Sequence, residues 1–163
     1  MRAFLYSLLL PLSLLTPACS PQAAENAPAP AATQASVHPV SGLEVIPLTV
    51  TTSKGPHAFR VEMARSPQEQ ATGLMFRTEM GPDEGMLFPY DQPRVLSFWM
   101  RNTVLSLDLV FIDAQHRVLN IAENATPYSE QSILSAGPGV AVLELNGGRT
   151  RELGIVAGNK VDW

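Results

Sequence analysis

Beyond residue 43 the chain falls into short apolar stretches separated by turn residues, the pattern of strands rather than long helices. Residues 43–51 are apolar and β-branched, and residues 59–63 alternate strictly, as a half-buried strand must. Residues 52–56 supply the turn of a hairpin, and Pro47 assigns the first strand to a sheet edge or a bulge. Ser66-Pro67-Gln68-Glu69 carries an N-cap, a proline suited to the first helical position and the glutamate of a capping box. This predicts a short helix that stops at Gly73. Strands are expected at 85–88 and 95–100, with 89–93 as a loop between them. A hairpin is expected from 107–112 and 117–122 around a turn at 113–116. Residues 123–139 read as a long polar loop, followed by a strand at 140–145. A short helix at 149–153 and a last strand at 160–163 complete the chain. The expected fold class is α+β: a curled or barrel-like, mainly antiparallel sheet of short strands with one or two short helices.

The N-terminus has a different pattern. Arg2 precedes an apolar run from Ala3 to Leu15, a length suited to a secretory signal but short of the roughly 20 residues of a membrane span. Thr16-Pro17-Ala18-Cys19-Ser20 follows and resembles a bacterial lipobox, with Cys19 as the lipidated residue. Residues 20–42 are rich in alanine and proline and poor in large hydrophobes. Such a segment cannot offset its ordering entropy by burial. The expected organisation is therefore a signal peptide over 1–18, a lipidated cysteine and disordered tether over 19–42, and one globular domain over 43–163. His38 falls in the tether as a solvated histidine. Export follows, with a membrane anchor through Cys19. Ser20, by resemblance to other bacterial lipoproteins, implies the periplasmic face of the outer membrane. Without lipidation the protein is periplasmic.

Composition narrows the function. Of 163 residues, 45% are hydrophobic and 16% charged, which excludes a disordered chain or a coiled coil. The net charge is −4 with no basic run, so no nucleic-acid partner is expected. The single cysteine excludes an internal disulfide and a cysteine-cluster metal site. No Gly-x-Ser-x-Gly elbow and no His-x-His spacing occur, so neither a metal nor a cofactor is expected. His57 and His116 are read as solvated turn residues. The methionines at 63, 75, 80, 86 and 100 are read as core fillers rather than copper ligands.

Five motifs occur in order: Gly73-Leu74-Met75-Phe76-Arg77, Gly85-Met86-Leu87-Phe88, Phe98-Trp99-Met100-Arg101-Asn102-Thr103, the run from Leu107 to Asp113, and Val142-Leu143-Glu144-Leu145. Together they resemble the uncharacterised prokaryotic family known as domain of unknown function 192, over about residues 58–161. That family usually has proline before Leu107, where this chain has Ser106. The resemblance implies a small α+β domain, often secreted, and no established activity.

The candidate chemistry lies inside these motifs. Asp108 opens an apolar strand, and Glu144 shares a strand face with Val142 and Val140. A carboxylate among apolar neighbours either titrates upward or finds a cation, and Arg77 and Arg101 are the cations in the motifs. If Phe98 and Met100 point inward, Trp99 and Arg101 point outward beside Asn102, an arrangement that stacks a sugar or a planar ligand. The candidate binding residues are Arg77, Trp99, Arg101, Asn102, Asp108 and Glu144. Arg77, Trp99 and Asp108 are expected to line one concave region, with Arg77 neutralising a carboxylate there. The leading expectation is a non-enzymatic envelope binding or accessory module for a glycan, a small ligand or an envelope protein. The alternative is a small hydrolase or lyase with Asp108 or Glu144 as base and Arg77 as charge stabiliser. A structural assembly factor is the third reading.

Overall fold

The computed structural model describes residues 36–163. The signal, Cys19 and most of the tether lie outside the described residues. Eight strands and two short helices follow in the order β1 (Ser36–Val37), β2 (Glu44–Thr52), β3 (Gly55–Met63), α1 (Pro67–Thr72), β4 (Glu84–Phe98), β5 (Leu107–Ile112), β6 (Val118–Ala125), β7 (Ile133–Asn146), α2 (Arg149–Leu153) and β8 (Lys160–Asp162). They form one curled sheet in the order β1-β2-β3-β4-β7-β5-β6, with β8 on β2. Every pairing is antiparallel except β3 with β4. That parallel pair requires a crossover, and the chain uses it to carry α1.

The curl brings the two ends of the sheet together. β8 pairs with β2 at Thr49, Val50 and Thr51. On its other side Lys160 bridges to Arg117, just before β6. Val161 N–H donates to His116 and Val118 N–H to Asn159. Pro47 falls between the β1 and β8 contacts on the outer side of β2, where a missing N–H costs nothing. The strand itself is not at the sheet edge, where the sequence placed it; Pro47 falls in a local gap between its two outer partners.

Residues 85–88 of β4, 141–145 of β7 and all of β5 are covered on both faces. Inside the curl, Leu87, Val110, Ile112, Leu143 and Leu145 pack with Leu48, Val50, Phe59 and Val161. On the outer face, Met86, Phe88, Leu109, Phe111 and Val142 pack with Leu74, Leu96, Met100 and Leu107. All six residues of β5 are buried for this reason, which accounts for the continuous apolar run in place of alternation.

The structure departs from the sequence expectations at four places. Residues 89–93 do not separate two strands; they form a bulge within β4, between Pro89 and Arg94. The long polar loop shrinks to 126–132, because 133–139 joins β7 and pairs with the far half of β4. Gly137 and Pro138 hid this half from a propensity reading. His57 lies within β3, with Thr52 Oγ1 at 3.2 Å from its Nε2, rather than in a turn. His116 stacks on Trp163 at 3.9 Å between ring centroids, across the join of the curl, and is not simply a solvated turn residue.

The domain also begins earlier than residue 43. Ser36 and Val37 pair with Val45 and Glu44, and His38 N–H donates to the Leu43 carbonyl. His38 Nε2 lies 3.6 Å from the buried Glu62 carboxylate, and the Ser41 hydroxyl donates to the same group. The end of the Ala/Pro segment is therefore bonded to the domain; the sequence hid this because its partner, Glu62, sits on a strand that reads as half solvated. A chain beginning at Leu43 is expected to melt lower than one beginning at Ser36, by a shift on the order of 5 °C for about 1–2 kcal/mol lost. Thermal unfolding of the two checks this; coincident melting would mean the segment adds nothing.

Candidate functional site

α1 is built as its sequence requires. Ser66 accepts from the Glu69 N–H, the Glu69 carboxylate accepts from the Ser66 N–H, and Pro67 opens the helix. Two backbone bonds, with Ser66 and Arg65, hold the Glu69 carboxyl below its usual range. Gln70 Nε2 ties the helix to β4 by donating to Pro89 O at 2.9 Å and Ala64 O at 3.1 Å. Gly73 ends the helix at φ 49°, and a Cβ there would lie 3.3 Å from the Phe88 ring. Glycine meets both the turn and the close approach.

Between α1, the bulge of β4 and the chain after β4 lies a cavity of about 180 Å³. Its walls include Gln70, Thr72, Gly73, Met75, Phe88, Tyr90, Ser97, Phe98, Trp99, Thr103 and Glu144. The volume is well below the roughly 300–1,000 Å³ of drug-sized sites, so it suits one small chemical group. Phe88 and Phe98 meet edge to face at 5.1 Å. Arg94 lies over the Tyr90 ring at 4.4 Å.

Glu144 is the anomalous member. It is 5% exposed, between Met86 of β4 and Leu109 of β5 in the outer core layer. Among the described residues no hydrogen bond or ion pair reaches its carboxylate. Burial pushes its carboxyl up to about 8, so near neutral pH the group is a carboxylic acid. Burial also raises the Tyr90 hydroxyl, against the opposing pull of Arg94.

The rim is unusual in its backbone. Phe76, Asn102 and Tyr128 all have φ between 54° and 61°, a region that non-glycine residues seldom occupy. Phe76 N–H donates to Asn102 O at 2.8 Å, Tyr128 N–H to Thr103 O at 3.1 Å, and Met100 N–H to Ser129 O at 2.8 Å. These bonds tie three loops together around Met75, Trp99 and Thr103.

The six sequence candidates separate. Trp99 and Glu144 share the cavity. Trp99 is 47% exposed, so the loop after β6 does not cover it. Arg101 stands beside it, 5.6 Å from the ring, and faces Glu130 at 3.8 Å. Asn102 holds the rim through its backbone, and its amide lies 3.8 Å from Met75 Sδ. Arg77 is elsewhere: it binds Glu62 through two hydrogen bonds of 2.9 and 3.1 Å, in the cluster that also holds His38 and Ser41. Arg77 does neutralise a carboxylate, but not one in the cavity. Asp108 is fully buried and accepts from Asn124 N–H, Gly148 N–H, Thr150 N–H and the Thr150 hydroxyl at 2.6–2.9 Å. It fastens the turn before α2 to β5. Ser106, in place of the family's proline, accepts from Gly147 N–H through its backbone carbonyl and donates its hydroxyl to Ala125 O.

Register explains why the two acids part. Asp108 pairs with Leu145, and Leu109 with Glu144. Cross-strand partners share a face and successive residues alternate. Asp108 therefore points into the curl and Glu144 to the outer layer, so the expected common site of Arg77, Trp99 and Asp108 does not form. Sequence reasoning missed Tyr90, which lay in a stretch read as loop, and Gln70, Phe88 and Phe98 as cavity walls.

Residues 48–163 match the model of the family DUF192, described as an uncharacterised ACR. The chain belongs to that family. It is 55% identical to a protein of unknown function from Novosphingobium aromaticivorans, whose crystal structure aligns with a TM-score of 0.79 over 81% of this chain and 94% of that one. It is 39% identical to a protein from Sinorhizobium meliloti described as a candidate transcription regulator, with a TM-score of 0.72 over 74% of this chain and 94% of that one. No curated protein matches.

Two outcomes test the contrast between the acids. Asp108→Asn replaces an acceptor oxygen by a donor that faces N–H groups, and is expected to cost about 2–4 kcal/mol in urea unfolding. An unchanged midpoint would remove Asp108 from its bonding role. For Glu144 the folded pKa lies above the unfolded value of 4.5, so the folded state holds its proton more tightly. Stability therefore falls as pH rises from about 4.5 to about 8 and levels off above. Glu144→Gln is expected to flatten that slope and to gain most over the parent above pH 8. A parallel slope in the variant would mean the carboxyl is not the titrating group.

Proposed function

We propose that this chain is a small binding module of the bacterial cell envelope, and that the Glu144 cavity is where it holds its ligand. One observation carries the reading: a buried carboxyl, without a hydrogen-bond partner among the described residues, in the wall of a cavity edged by a half-exposed tryptophan. The one fully buried side-chain atom without a partner among the described residues is Arg149 Nε, so the Glu144 oxygens open onto the cavity, where a ligand can bond to an acid that burial has largely stripped of water. The rim of tied loops supports a pre-formed site rather than one that orders on binding.

The envelope part of the reading rests on the apolar run from Ala3 to Leu15 and on Ala18-Cys19. In this reading Cys19 carries the lipid, and the Ala/Pro segment up to Ser36 spaces the domain from the periplasmic face of the outer membrane. A hydrolase or lyase working through two carboxylates finds less support, because Asp108 and Glu144 lie on opposite faces of the sheet. The description of the S. meliloti relative finds little support in a chain of net charge −4.

The test is a thermal-shift screen of the mature protein against small envelope solutes. A ligand present at about 100 times its Kd raises stability by roughly 2.7 kcal/mol. That rise is expected to vanish in Glu144→Gln and shrink in Trp99→Ala, with Trp99→Ala alone changing stability by about 1 kcal/mol or less. A ligand whose shift survives both substitutions would place the site elsewhere. In cells, Cys19→Ala is expected to abolish lipidation and leave the protein unprocessed or soluble.

A further inference from the structure

We propose that the cavity takes an organic ammonium group, a primary or quaternary amine about the size of a choline head. The inference rests on the binding reading above and names the ligand class for that site.

The lining carries the argument. Phe88, Tyr90, Phe98 and Trp99 contribute aromatic rings to one cavity of about 180 Å³, and Glu144 contributes a carboxyl. Arg94 and Arg101 already stand beside the Tyr90 and Trp99 rings, and among the described residues Phe88 and Phe98 have no such neighbour. Aromatic faces attract cations, and the attraction grows as water is excluded. A carboxylate supplies the countercharge that a buried cation needs. Rings without an acid would suit any apolar group, and an acid without rings would suit any hydrogen-bonding group. Their combination in a small space favours a cation with apolar substituents.

Among the described residues none offers a cation to Glu144. From β4, Tyr90 is the titratable wall residue, and Arg94 is committed to the Tyr90 ring. From the segment after β4, Arg101 lies by the Trp99 ring and faces Glu130. From α1 and the chain after it, the walls are Gln70, Ala71, Thr72, Gly73, Leu74 and Met75, all uncharged. From β4 and β5, the cross-strand neighbours are Met86 and Leu109. An anionic ligand would find no countercharge in this wall.

A proton balance follows. Empty, the site holds Glu144 with its proton, because burial lifts the carboxyl to about 8. When an ammonium enters, the carboxylate form is stabilised and the proton leaves to solvent. The site then contains one carboxylate and one cation, with one proton released. Below about pH 8, affinity therefore rises about tenfold per pH unit, and above it levels off.

Isothermal titration calorimetry of the mature chain tests this with choline, tetramethylammonium and butylammonium at about pH 6, 7 and 8. Phosphate and HEPES buffers, which differ in ionisation heat, count the protons. At least one ammonium is expected to bind, with nearly one proton released at pH 7 and about tenfold tighter binding per pH unit. The neutral isostere 3,3-dimethyl-1-butanol is expected to bind more weakly, without proton release. Glu144→Gln, checked for folding by its melt at pH 6, is expected to lose at least tenfold for the ammonium and little for the isostere. Trp99→Leu gives a second variant in which ammonium binding falls while its pH dependence persists. Ammonium binding that is flat with pH, or no tighter than the isostere, overturns the proposal. N-acetylglucosamine and acetate run in parallel. If one of them binds through Glu144 while no ammonium does, the ligand class is wrong and the binding reading stands. If nothing binds, both fall.

Discussion

The constraint on which the rest of the structure depends is that the stretch where 85–88 of β4, 141–145 of β7 and the whole of β5 lie side by side is buried on both faces. A sheet covered on one side can place a polar residue in water by facing it outward. Here both faces are dry, so a polar side chain on a central strand must find a partner or give up its charge. Asp108 and Glu144 are the two carboxylates on these strands that are buried. They meet the same constraint in opposite ways, because the register sends them to opposite layers. Asp108 meets four donors supplied by α2, by Gly148 before it and by Asn124 of β6. Glu144 meets aromatic rings and a cavity.

That contrast separates structural from functional polarity on physical grounds. A carboxylate with every lone pair engaged contributes to the fold and has nothing left to offer a ligand. Arg77 and Glu62 are a second example, with two hydrogen bonds between side chains that are 10% and 5% exposed. They join the crossover to β3, and Ser41 and His38 extend the same cluster to the first residues of the domain. Both groups were legible as chemistry in the sequence, since a charge inside an apolar motif always needs an explanation. What the sequence lacked was the partner. Glu62 looked like the solvent face of an alternating strand, and the donors to Asp108 are mostly backbone N–H groups, which no side-chain pattern reveals.

The elements themselves were largely legible. The capping box at Ser66 and Glu69, the β2–β3 hairpin, the run of β5 and the glycines around α2 each carried a local signal that tertiary packing did not override. The misreadings fall where long-range pairing overrules local preference. Pro89-Tyr90-Asp91-Gln92-Pro93 has the composition of a loop, yet β7 holds both ends of it in one strand. Gly137-Pro138-Gly139 has the composition of a turn, yet Leu96 packs so near Gly139 that a Cβ there would lie 2.9 Å from its side chain. The long β4–β7 pair is thus the part of the fold that a one-dimensional reading could not reach, and it is also the part that carries the cavity.

This coincidence has a physical origin. A strand pair long enough to run past the curled core must bend, and the bend falls at the bulge. The bulge turns Tyr90 toward α1, and the far half of the pair carries Phe98 and leads to Trp99 over the outer layer. The gap between bulge, helix and returning chain is where the outer core layer stops being filled. Glu144 sits at that edge, deep enough to lose its charge and open enough to be reached. An apolar residue there would extend the core by one more side chain and close the layer. The sequence places a glutamate instead, with three loops in the left-handed backbone region tied around the opening. Both features cost folding free energy, and that cost is what the proposed binding role would account for.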